Sequence, residues 1–488
     1  MPGVPAYLSW GGWDMLRWLA DGIWNPWLLG LFLITGVYFG VQTGFFQLFR
    51  VKLWLKTTIG SLFSGRNARG RGEISQFQAL STALASTIGT GSVAGVATAI
   101  WFGGPGAVFW MWICAFLGMM TGCAEKILTI AYRQRTPAGQ WRGGPMYYLR
   151  DGVGSGMLGI WFAVALLPAT LAGGNLVQVS SIAGTVSQVT GCRPIVVGVI
   201  TAALTGLVMV GGIGRIARVS AALVPMMALL YIGGGAVVLG IFAHRIPDAL
   251  GQIFLYALEP KAMAGGGMGY TCSAAMRYGI ARGVFTNEAG LGTAAIAHSA
   301  ARTDHPARQG MWGIVEVGIS TLVVSTMTAL VILVSGVYVP EEALSYLAQG
   351  NSPGGMVGAP LTAAAFSAGL GPSGSVIVSV SLILFAFSSI LGWSYYGQQA
   401  LEYLTGKKWV FGVYRLVFLG CILLGSVWNG EQIWQLVDLC NACLAIPNLT
   451  ALILLAPETV RWLEGWEKQV TIQSSKRSSY FSRKENIS

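Results

Sequence analysis

Charged side chains are scarce in this sequence of 488 residues. Asp, Glu, Lys and Arg make up 10% of it, whereas a soluble domain has about 25%. Hydrophobic residues make up 54%. So few charges cannot cover a water-exposed surface, which excludes a soluble globular protein. The composition instead predicts an integral membrane protein with one polytopic domain.

Histidine is scarcer still, with only His244, His298 and His305, and none of them belongs to a His-Glu-x-x-His motif. No phosphate-binding loop of the Gly-x-x-x-x-Gly-Lys-Ser/Thr type occurs either. Cys440 and Cys443 form a single Cys-x-x-Cys pair without a second pair or a nearby histidine, so we interpret them as packing residues. The sequence therefore predicts a protein that is not an enzyme and needs no organic cofactor.

Eleven apolar segments are long enough to cross a bilayer, which predicts an all-α fold. They are residues 24–49, 77–102, 104–131, 157–188, 195–212, 217–243, 265–297, 309–337, 373–404, 408–427 and 432–457.

The net charge of +11 follows the membrane topology, so we expect no nucleic-acid partner. With the amino terminus outside, most Lys and Arg residues fall in or beside the cytoplasmic segments. The segment 338–372 is then predicted to be an exterior loop. It contains Glu341 and Glu342 and neither Lys nor Arg. The positive-inside rule therefore predicts an exterior amino terminus and a cytoplasmic carboxyl terminus. We expect the membrane to be a bacterial inner membrane. The cytoplasmic segments are 50–76, 132–156, 213–216, 298–308, 405–407 and the tail from 458.

The two ends of the chain lie outside this core. Residues 1–23 are predicted to be an exterior segment, in which the tryptophans of 7–21 are typical of an interfacial helix. Residues 24–49 form an additional amino-terminal span. The basic segment 458–488 is predicted to be a solvated cytoplasmic tail.

Two apolar segments contain sequences that break helices. Residues 86–95 include Gly89-Thr90-Gly91-Ser92, and residues 283–293 include Thr286-Asn287-Glu288-Ala289-Gly290. An unpaired backbone group is tolerated in a membrane only where it meets protein, water or a ligand. The two segments are five spans apart, so they cross the membrane in opposite directions. This pattern predicts an inverted-repeat transporter with five spans in 77–243 and five in 265–457.

Such a break suits a small zwitterion and a sodium ion. The half-helix after Gly91 presents free N–H groups to a carboxylate, and the half before it presents free carbonyl groups to Na⁺. Glu288, a carboxylate inside a span, could attract a substrate ammonium group or the coupling ion, or it could pair with Arg282 or Arg277. The buried-looking pair Glu125 and Lys126 marks either the end of a span or an ion pair.

Two further spans carry polar residues on one helix face. Ser389 and Trp393 are four residues apart, and Asn175 and Gln178 are three apart beside two glycines. Each pair is interpreted either as helix packing or as a contact with ion or substrate.

Three blocks of sequence resemble the alanine or glycine:cation symporters, which are sodium-coupled carriers of small neutral amino acids. They are residues 77–112, Gly144-Pro145-Met146-Tyr147-Tyr148, and Arg282-Gly283-Val284-Phe285-Thr286-Asn287-Glu288-Ala289-Gly290-Leu291-Gly292. The resemblance extends over about residues 20–460. It implies the five-plus-five fold of the leucine and neurotransmitter:sodium symporters, preceded by one additional span.

The resemblance also implies site residues. The substrate carboxylate would meet the backbone of Thr90, Gly91 and Ser92, and the rest of the pocket would be Gln178, Phe285, Thr286, Asn287 and Trp393. A sodium site would use the carbonyl groups of Ala85, Ile88 and Phe385 with the hydroxyl groups of Ser388 and Ser389. The family usually has Gly-Thr-Gly-Asn where this chain has Ser92, which suggests a roomier pocket or a changed ion stoichiometry.

These observations lead to one function and two alternatives. The first is a monomeric Na⁺-coupled symporter of a small neutral amino acid, alanine or glycine by default, that works by alternating access. The second keeps the fold and couples to H⁺ through Glu288. The third is a membrane receptor that binds an amino acid at the same site without transporting it.

Overall fold

A computed structural model describes residues 22–24, 26–62, 74–136, 139–258, 272–348, 357–428 and 431–485. The predicted interfacial helix at 7–21 lies outside these residues. The helices are α1 (Pro26–Gln42), α2 (Phe46–Phe49), α3 (Val51–Thr57), α4 (Ile59–Leu62), α5 (Gln76–Thr87), α6 (Val96–Gly103), α7 (Ala107–Ala131), α8 (Pro145–Tyr147), α9 (Gly156–Leu171), α10 (Val177–Thr190), α11 (Pro194–Met209), α12 (Gly212–Ile241), α13 (Ile246–Leu258), α14 (Cys272–Asn287), α15 (Thr293–Ser299), α16 (Pro306–Val317), α17 (Thr326–Ser335), α18 (Pro340–Ala348), α19 (Ala359–Leu370), α20 (Pro372–Leu404), α21 (Lys408–Val427), α22 (Glu431–Leu454) and α23 (Ala456–Glu485).

Wider turns and one small sheet connect these helices. Strands β1 (Gln134–Arg135) and β2 (Trp141–Arg142) pair antiparallel and form a short hairpin. Within the described residues, four π-helical turns continue or precede helices, at Gly91–Gly95, Tyr148–Gly152, Ala172–Leu176 and Gly318–Ser325, and a 3₁₀ turn lies at Ala243–Arg245. Because of the π-helical turns, α9 with α10 and α16 with α17 form two long continuous helices.

The described residues contain 7 helical segments long and apolar enough to cross a membrane, and the bent pair α5 and α6 makes an eighth. Three shorter apolar helices add to these, namely Trp27–Gln42 within α1, α11 and α19. The helical fold is as expected, while the count of eleven spans stays a prediction, because α1, α11 and α14 have only 17, 16 and 16 residues.

The segment 338–372, predicted to be an exterior loop, contains two helices among its described residues. The structure places α18 and α19 in it, and α19 is rich in alanine and begins with Pro360 in its first turn. Proline fits there because the first turn of a helix needs no backbone N–H donor. The Thr362 hydroxyl donates to the Val93 carbonyl at 3.0 Å, so α19 lies against the π-helical turn at Gly91–Gly95.

Helix α7 lies at the centre and packs against α14 and α16. Its contact with α16 is close because glycines face each other, and a Cβ atom on Gly313 would lie 2.5 Å from the Gly122 carbonyl oxygen. Small residues of this kind let membrane helices approach each other and gain dispersion energy where lipid supplies no hydrophobic driving force.

The hairpin face of the molecule, defined here as the side that carries β1 and β2, is closed by backbone pairing. The Ile74 N–H donates to the Ala300 carbonyl at 3.1 Å, and the Arg302 N–H donates to the Ile74 carbonyl at 2.9 Å. The Trp312 indole donates to the Gln76 side-chain oxygen at 3.2 Å. The start of α5 is therefore fastened to the connection between α15 and α16.

The carboxyl-terminal segment is the helix α23, whereas the sequence predicted only a basic, solvated tail. The α23 residues Trp462 and Trp466 place their rings 5.4 and 4.9 Å from the His305 ring. Glu467 forms an ion pair of 2.5 Å with Arg50. These contacts order the start of the segment against the hairpin face.

Candidate functional site

The first helix break lies between α5 and α6. A capping box of Ser75 and Gln78 begins α5. Ile88 leaves this helix with φ −81° and ψ 78°. The two helices are bent by 51°, and the chain resumes at the π-helical turn that begins at Gly91. A Cβ atom on Gly91 would lie 2.6 Å from Phe285 Cδ1, so the closeness of α14 requires glycine.

The second break lies between α14 and α15. Glu288, Gly290 and Gly292 have φ values of 54°, 92° and 76°, which are left-handed conformations. Glycine adopts them without strain, but a carboxylate residue rarely does. A helix cannot continue through three such residues, so the break spans 288–292. Both breaks lie in the two segments that the sequence predicted to be interrupted.

A narrow cavity lies between the two breaks. It is lined by Ser86, Thr87, Gly89, Gly91, Gly173, Gln178, Phe285, Glu288, Leu291, Trp393, Val437 and Asn441. Four of the predicted substrate residues are among them: Gly91, Gln178, Phe285 and Trp393.

Gln178 joins the first break to the cavity wall. Its side-chain oxygen accepts a hydrogen bond from the Thr90 N–H at 3.4 Å, and its amide nitrogen donates to the Gly173 carbonyl at 3.1 Å. Trp393 packs directly on Gly174, where any side chain would overlap the indole. The glycines beside Gln178 therefore make room for the aromatic wall.

Thr286 and Asn287 face α16 and the turn that follows it, and neither lines the cavity. The Thr286 hydroxyl donates to the Gly283 carbonyl at 2.8 Å and lies 3.2 Å from the Thr321 hydroxyl. The Asn287 amide donates to the same Thr321 hydroxyl at 3.2 Å. Thr321 thus anchors the end of α14, a contact that the sequence did not indicate.

Ser92 and Thr90 are fully buried. The Thr328 hydroxyl donates to the Ser92 carbonyl at 2.8 Å. Among the described residues, the hydroxyl groups of Ser92 and Thr90 have no hydrogen-bond partner. A buried hydroxyl without a partner is costly, so these two groups are available to an ion or a ligand.

The residues of the predicted sodium site come together between α5 and α20. The Ser389 hydroxyl lies 2.9 Å from the Ala85 carbonyl oxygen, and the Ser388 hydroxyl lies 3.2 Å from it. Ser388 is also 2.9 Å from the Phe385 carbonyl oxygen. Ile88 is buried where α5 ends, three residues after Ala85 in the chain. Neutral oxygen atoms screened from water fit Na⁺, which unwound backbone carbonyl groups coordinate in broken-helix transporters.

Glu288 faces the cavity and is held from within its own segment. Its carboxylate accepts a hydrogen bond of 2.5 Å from the Thr293 hydroxyl at the start of α15. Arg282 lies 3.9 Å from Asp438 instead and stacks over Trp434. The alternative in which Arg282 locks Glu288 is therefore wrong for this structure.

Glu125 holds the second break from the central helix. One of its oxygen atoms accepts hydrogen bonds from the Gly290 N–H at 2.8 Å, the Gly292 N–H at 2.9 Å and the Asn448 amide at 2.8 Å. Asn448 also donates to the Gly290 carbonyl at 2.8 Å. A carboxylate here replaces the hydrogen bonds that the broken helix lacks.

A chain of buried polar groups continues from Glu125 toward the hairpin face. Lys126 lies 4.0 Å from Glu125 and 3.2 Å from Glu316, which settles the interpretation of this pair as a buried ion pair. Glu316 is 3.1 Å from His298 Nε2, and His298 Nδ1 is 2.6 Å from the Gln309 amide. All five side chains are fully buried, so the network links α7, α15 and α16.

Sequence reasoning missed several cavity residues and gave no partners to Glu125. Val437 and Asn441 of α22 line the cavity but stand in an otherwise ordinary apolar segment, where only the amide of Asn441 could have drawn attention. Asn448 is 323 residues away from Glu125 along the chain, so nothing in local spacing connects them.

Two broken helices that face one buried cavity define the class as a helical secondary transporter. The fold matches the crystal structure of MhsT in complex with L-phenylalanine, with a TM-score of 0.55, 15% sequence identity, and coverage of 79% of this chain and 90% of MhsT. This similarity concerns the fold alone.

The chain belongs to the sodium:alanine symporter family, whose model matches residues 13–480. It is 41% identical over 438 residues to the sodium/alanine symporter AgcS of Methanococcus maripaludis, covering 89% of this chain and 92% of AgcS. It is 34% identical over 452 residues to the probable sodium/glutamine symporter GlnT of Bacillus subtilis, covering 92% of this chain and 89% of GlnT. The resemblance inferred from the three blocks is thus confirmed.

Proposed function

We propose that this protein is a Na⁺-coupled symporter that imports a small neutral amino acid, alanine or glycine by default, by alternating access. The observation that carries the proposal is the cavity between two helix breaks, next to a cluster of neutral buried oxygen atoms around Ser388 and Ser389. Membership of the sodium:alanine symporter family supports it. In the proposal, residues 77–243 and 265–457 are the two inverted repeats, and the amino terminus is exterior.

The proposed binding geometry follows from the first break. The backbone at Thr90 to Ser92 would meet the substrate carboxylate, chiefly through the N–H groups of Gly91 and Ser92, because the Thr90 N–H donates to Gln178. The positive end of the α6 dipole favours that charge. Phe285 and Trp393 would enclose the small side chain, with Thr286 and Asn287 supporting the pocket from the Thr321 side. Na⁺ would be held by the Ala85, Ile88 and Phe385 carbonyl groups and the hydroxyl groups of Ser388 and Ser389.

Uptake into proteoliposomes tests this proposal. Labelled alanine, glycine, glutamine and larger neutral amino acids are offered with an inward Na⁺ gradient and with choline in its place. We expect accumulation only with Na⁺. Unchanged uptake in choline contradicts sodium coupling, and saturable binding without any counterflow favours the receptor alternative.

The second candidate function is H⁺ coupling, which one specific observation favours: the Glu288 carboxylate lines the cavity. Uptake driven by a pH gradient in the absence of Na⁺, and lost in Glu288→Gln, is the result that distinguishes it. Glu288→Gln keeps an acceptor for the Thr293 hydroxyl, so loss of H⁺ coupling would not come from a missing hydrogen bond.

Removing both hydroxyl groups of the proposed ion site should weaken sodium binding. In the double variant Ser388→Ala and Ser389→Ala, we expect the Na⁺ concentration for half-maximal uptake to rise about tenfold, equivalent to about 1.4 kcal/mol. Substrate preference should stay the same. The matched control is Ser394→Ala, because Ser394 lies in the same helix and its hydroxyl donates locally to the Leu391 carbonyl at 2.7 Å. An unchanged sodium dependence in the double variant removes these hydroxyl groups from the ion site.

Ser92→Asn tests the position at which the resemblance implies a difference between this chain and its family. Asparagine adds volume at a fully buried position beside the first break. This added volume removes the space for roughly one methylene group, which corresponds to about tenfold in selectivity. We therefore expect uptake of the larger amino acids of the panel to fall about tenfold relative to alanine. Ser92→Ala separates the hydroxyl group from the volume. If Ser92→Asn leaves both substrate range and sodium dependence unaltered, Ser92 has no part in selectivity.

A further inference from the structure

A groove with two arginines opens on the outer surface of α12, away from the cavity. It is lined by Arg215, Arg218, Val219, Ala222 and Leu223. Both arginines are exposed, and the three apolar residues continue from them along the helix. The groove therefore has a positively charged end and an apolar end.

The charge at this groove has no counter-charge of its own. The sequence contains no Asp or Glu between Asp151 and Asp248. The Arg215 guanidinium donates to the Leu207 carbonyl at 2.6 Å, and the Arg218 guanidinium donates to the Gly214 carbonyl at 3.2 Å. In the described part of the chain, neither arginine has a carboxylate within 4.0 Å. Both keep unused N–H donors for an anion.

The position of the arginines matches the boundary of a membrane. They lie three and six residues after the start of α12, which corresponds to about 4.5 and 9 Å along the helix. The neighbouring apolar side chains are turned outward: Leu207 is 65% exposed and Met226 is 50% exposed. In an integral membrane protein, such a surface faces lipid chains.

We propose that this groove binds one anionic phospholipid, with its phosphate group between Arg215 and Arg218 and an acyl chain along Val219, Ala222 and Leu223. Arginine suits this role because its planar guanidinium group can donate two parallel hydrogen bonds to a phosphate. Basic pockets at the ends of membrane helices attract anionic headgroups. The charge without a counter-charge and the continuous apolar strip favour a lipid over a second protein chain. The proposal depends on the membrane location and not on the transported substrate.

Native mass spectrometry of the purified full-length protein tests the proposal. The protein is titrated with phosphatidylglycerol and with phosphatidylcholine of the same acyl chains, and bound lipid is counted. We expect roughly thirtyfold stronger retention of phosphatidylglycerol, as for two basic residues at the membrane surface. The double variant Arg215→Gln and Arg218→Gln should lose this preference.

Two further variants and one competitor complete the experiment. Arg193 precedes α11, at the end of that helix remote from Arg215, so Arg193→Gln removes one positive charge away from the groove. This variant should keep the preference for phosphatidylglycerol. Ala222→Trp fills the apolar part while both arginines remain, and it should weaken retention. Equal retention of both lipids by the unaltered protein, or full retention by the double variant or by Ala222→Trp, overturns the proposal. Displacement of the lipid by an equal concentration of glycerol phosphate also overturns it, because the apolar strip would then contribute nothing.

Discussion

Gly91→Leu should abolish sodium-driven amino-acid uptake. A Cβ atom at this position would lie 2.6 Å from Phe285 Cδ1 and 3.6 Å from Thr286 Cγ2, so the side chain cannot fit without moving α14. It would also occupy the space in which the backbone is proposed to meet the substrate carboxylate. We expect uptake at the level of empty liposomes and no saturable binding of alanine.

The matched control for this variant is Gly233→Leu. Gly233 lies in the middle of α12, and nothing lies within 4 Å of a Cβ atom placed there. The same change in an open position should leave uptake intact. Normal alanine affinity in a folded Gly91→Leu protein contradicts the placement of the carboxylate at the first break.

The two breaks could be predicted from sequence because helix-breaking residues stand out in apolar surroundings. Gly89-Thr90-Gly91-Ser92 interrupts a span with polar and flexible residues, and hydrocarbon does not tolerate the freed backbone. The left-handed conformation of Glu288 could not be predicted in this way, because residues other than glycine rarely adopt a φ near 54° and the residue type gives no sign of it.

Hydropathy alone did not predict the helices α18 and α19. The segment 338–372 lies between two predicted spans and was therefore predicted to be a loop, yet the alanines at 363–365 favour the helix α19 that packs on the first break. Its contact with Val93 is a tertiary interaction that no local pattern reveals. The partners of Glu125 likewise come from α22 and from the second break.

The network around Glu125 explains how the second break stays ordered inside the protein. Three donors converge on one carboxylate oxygen of Glu125. The Lys126 ammonium group lies 4.0 Å from the other oxygen and 3.2 Å from Glu316, so it is the positive charge shared by the two carboxylates. Each buried donor left without a partner costs about 1–3 kcal/mol. Glu125 is thus a positioning residue that acts on the cavity through the segment 288–292 and does not line the cavity itself.

Glu125→Ala should therefore destabilise the protein by on the order of 3 kcal/mol or more, because three buried donors lose their acceptor. We expect a lower midpoint of thermal unfolding in detergent and loss of uptake. Glu125→Gln keeps an oxygen acceptor, so it should fold, but its weaker hydrogen bonds should raise the KM for the amino acid more than they lower kcat. Glu467→Ala is the control, since removing a half-exposed carboxylate changes stability by only about 0–1 kcal/mol. If Glu125→Ala unfolds at the same temperature as the unaltered protein and transports normally, the second break does not depend on this carboxylate.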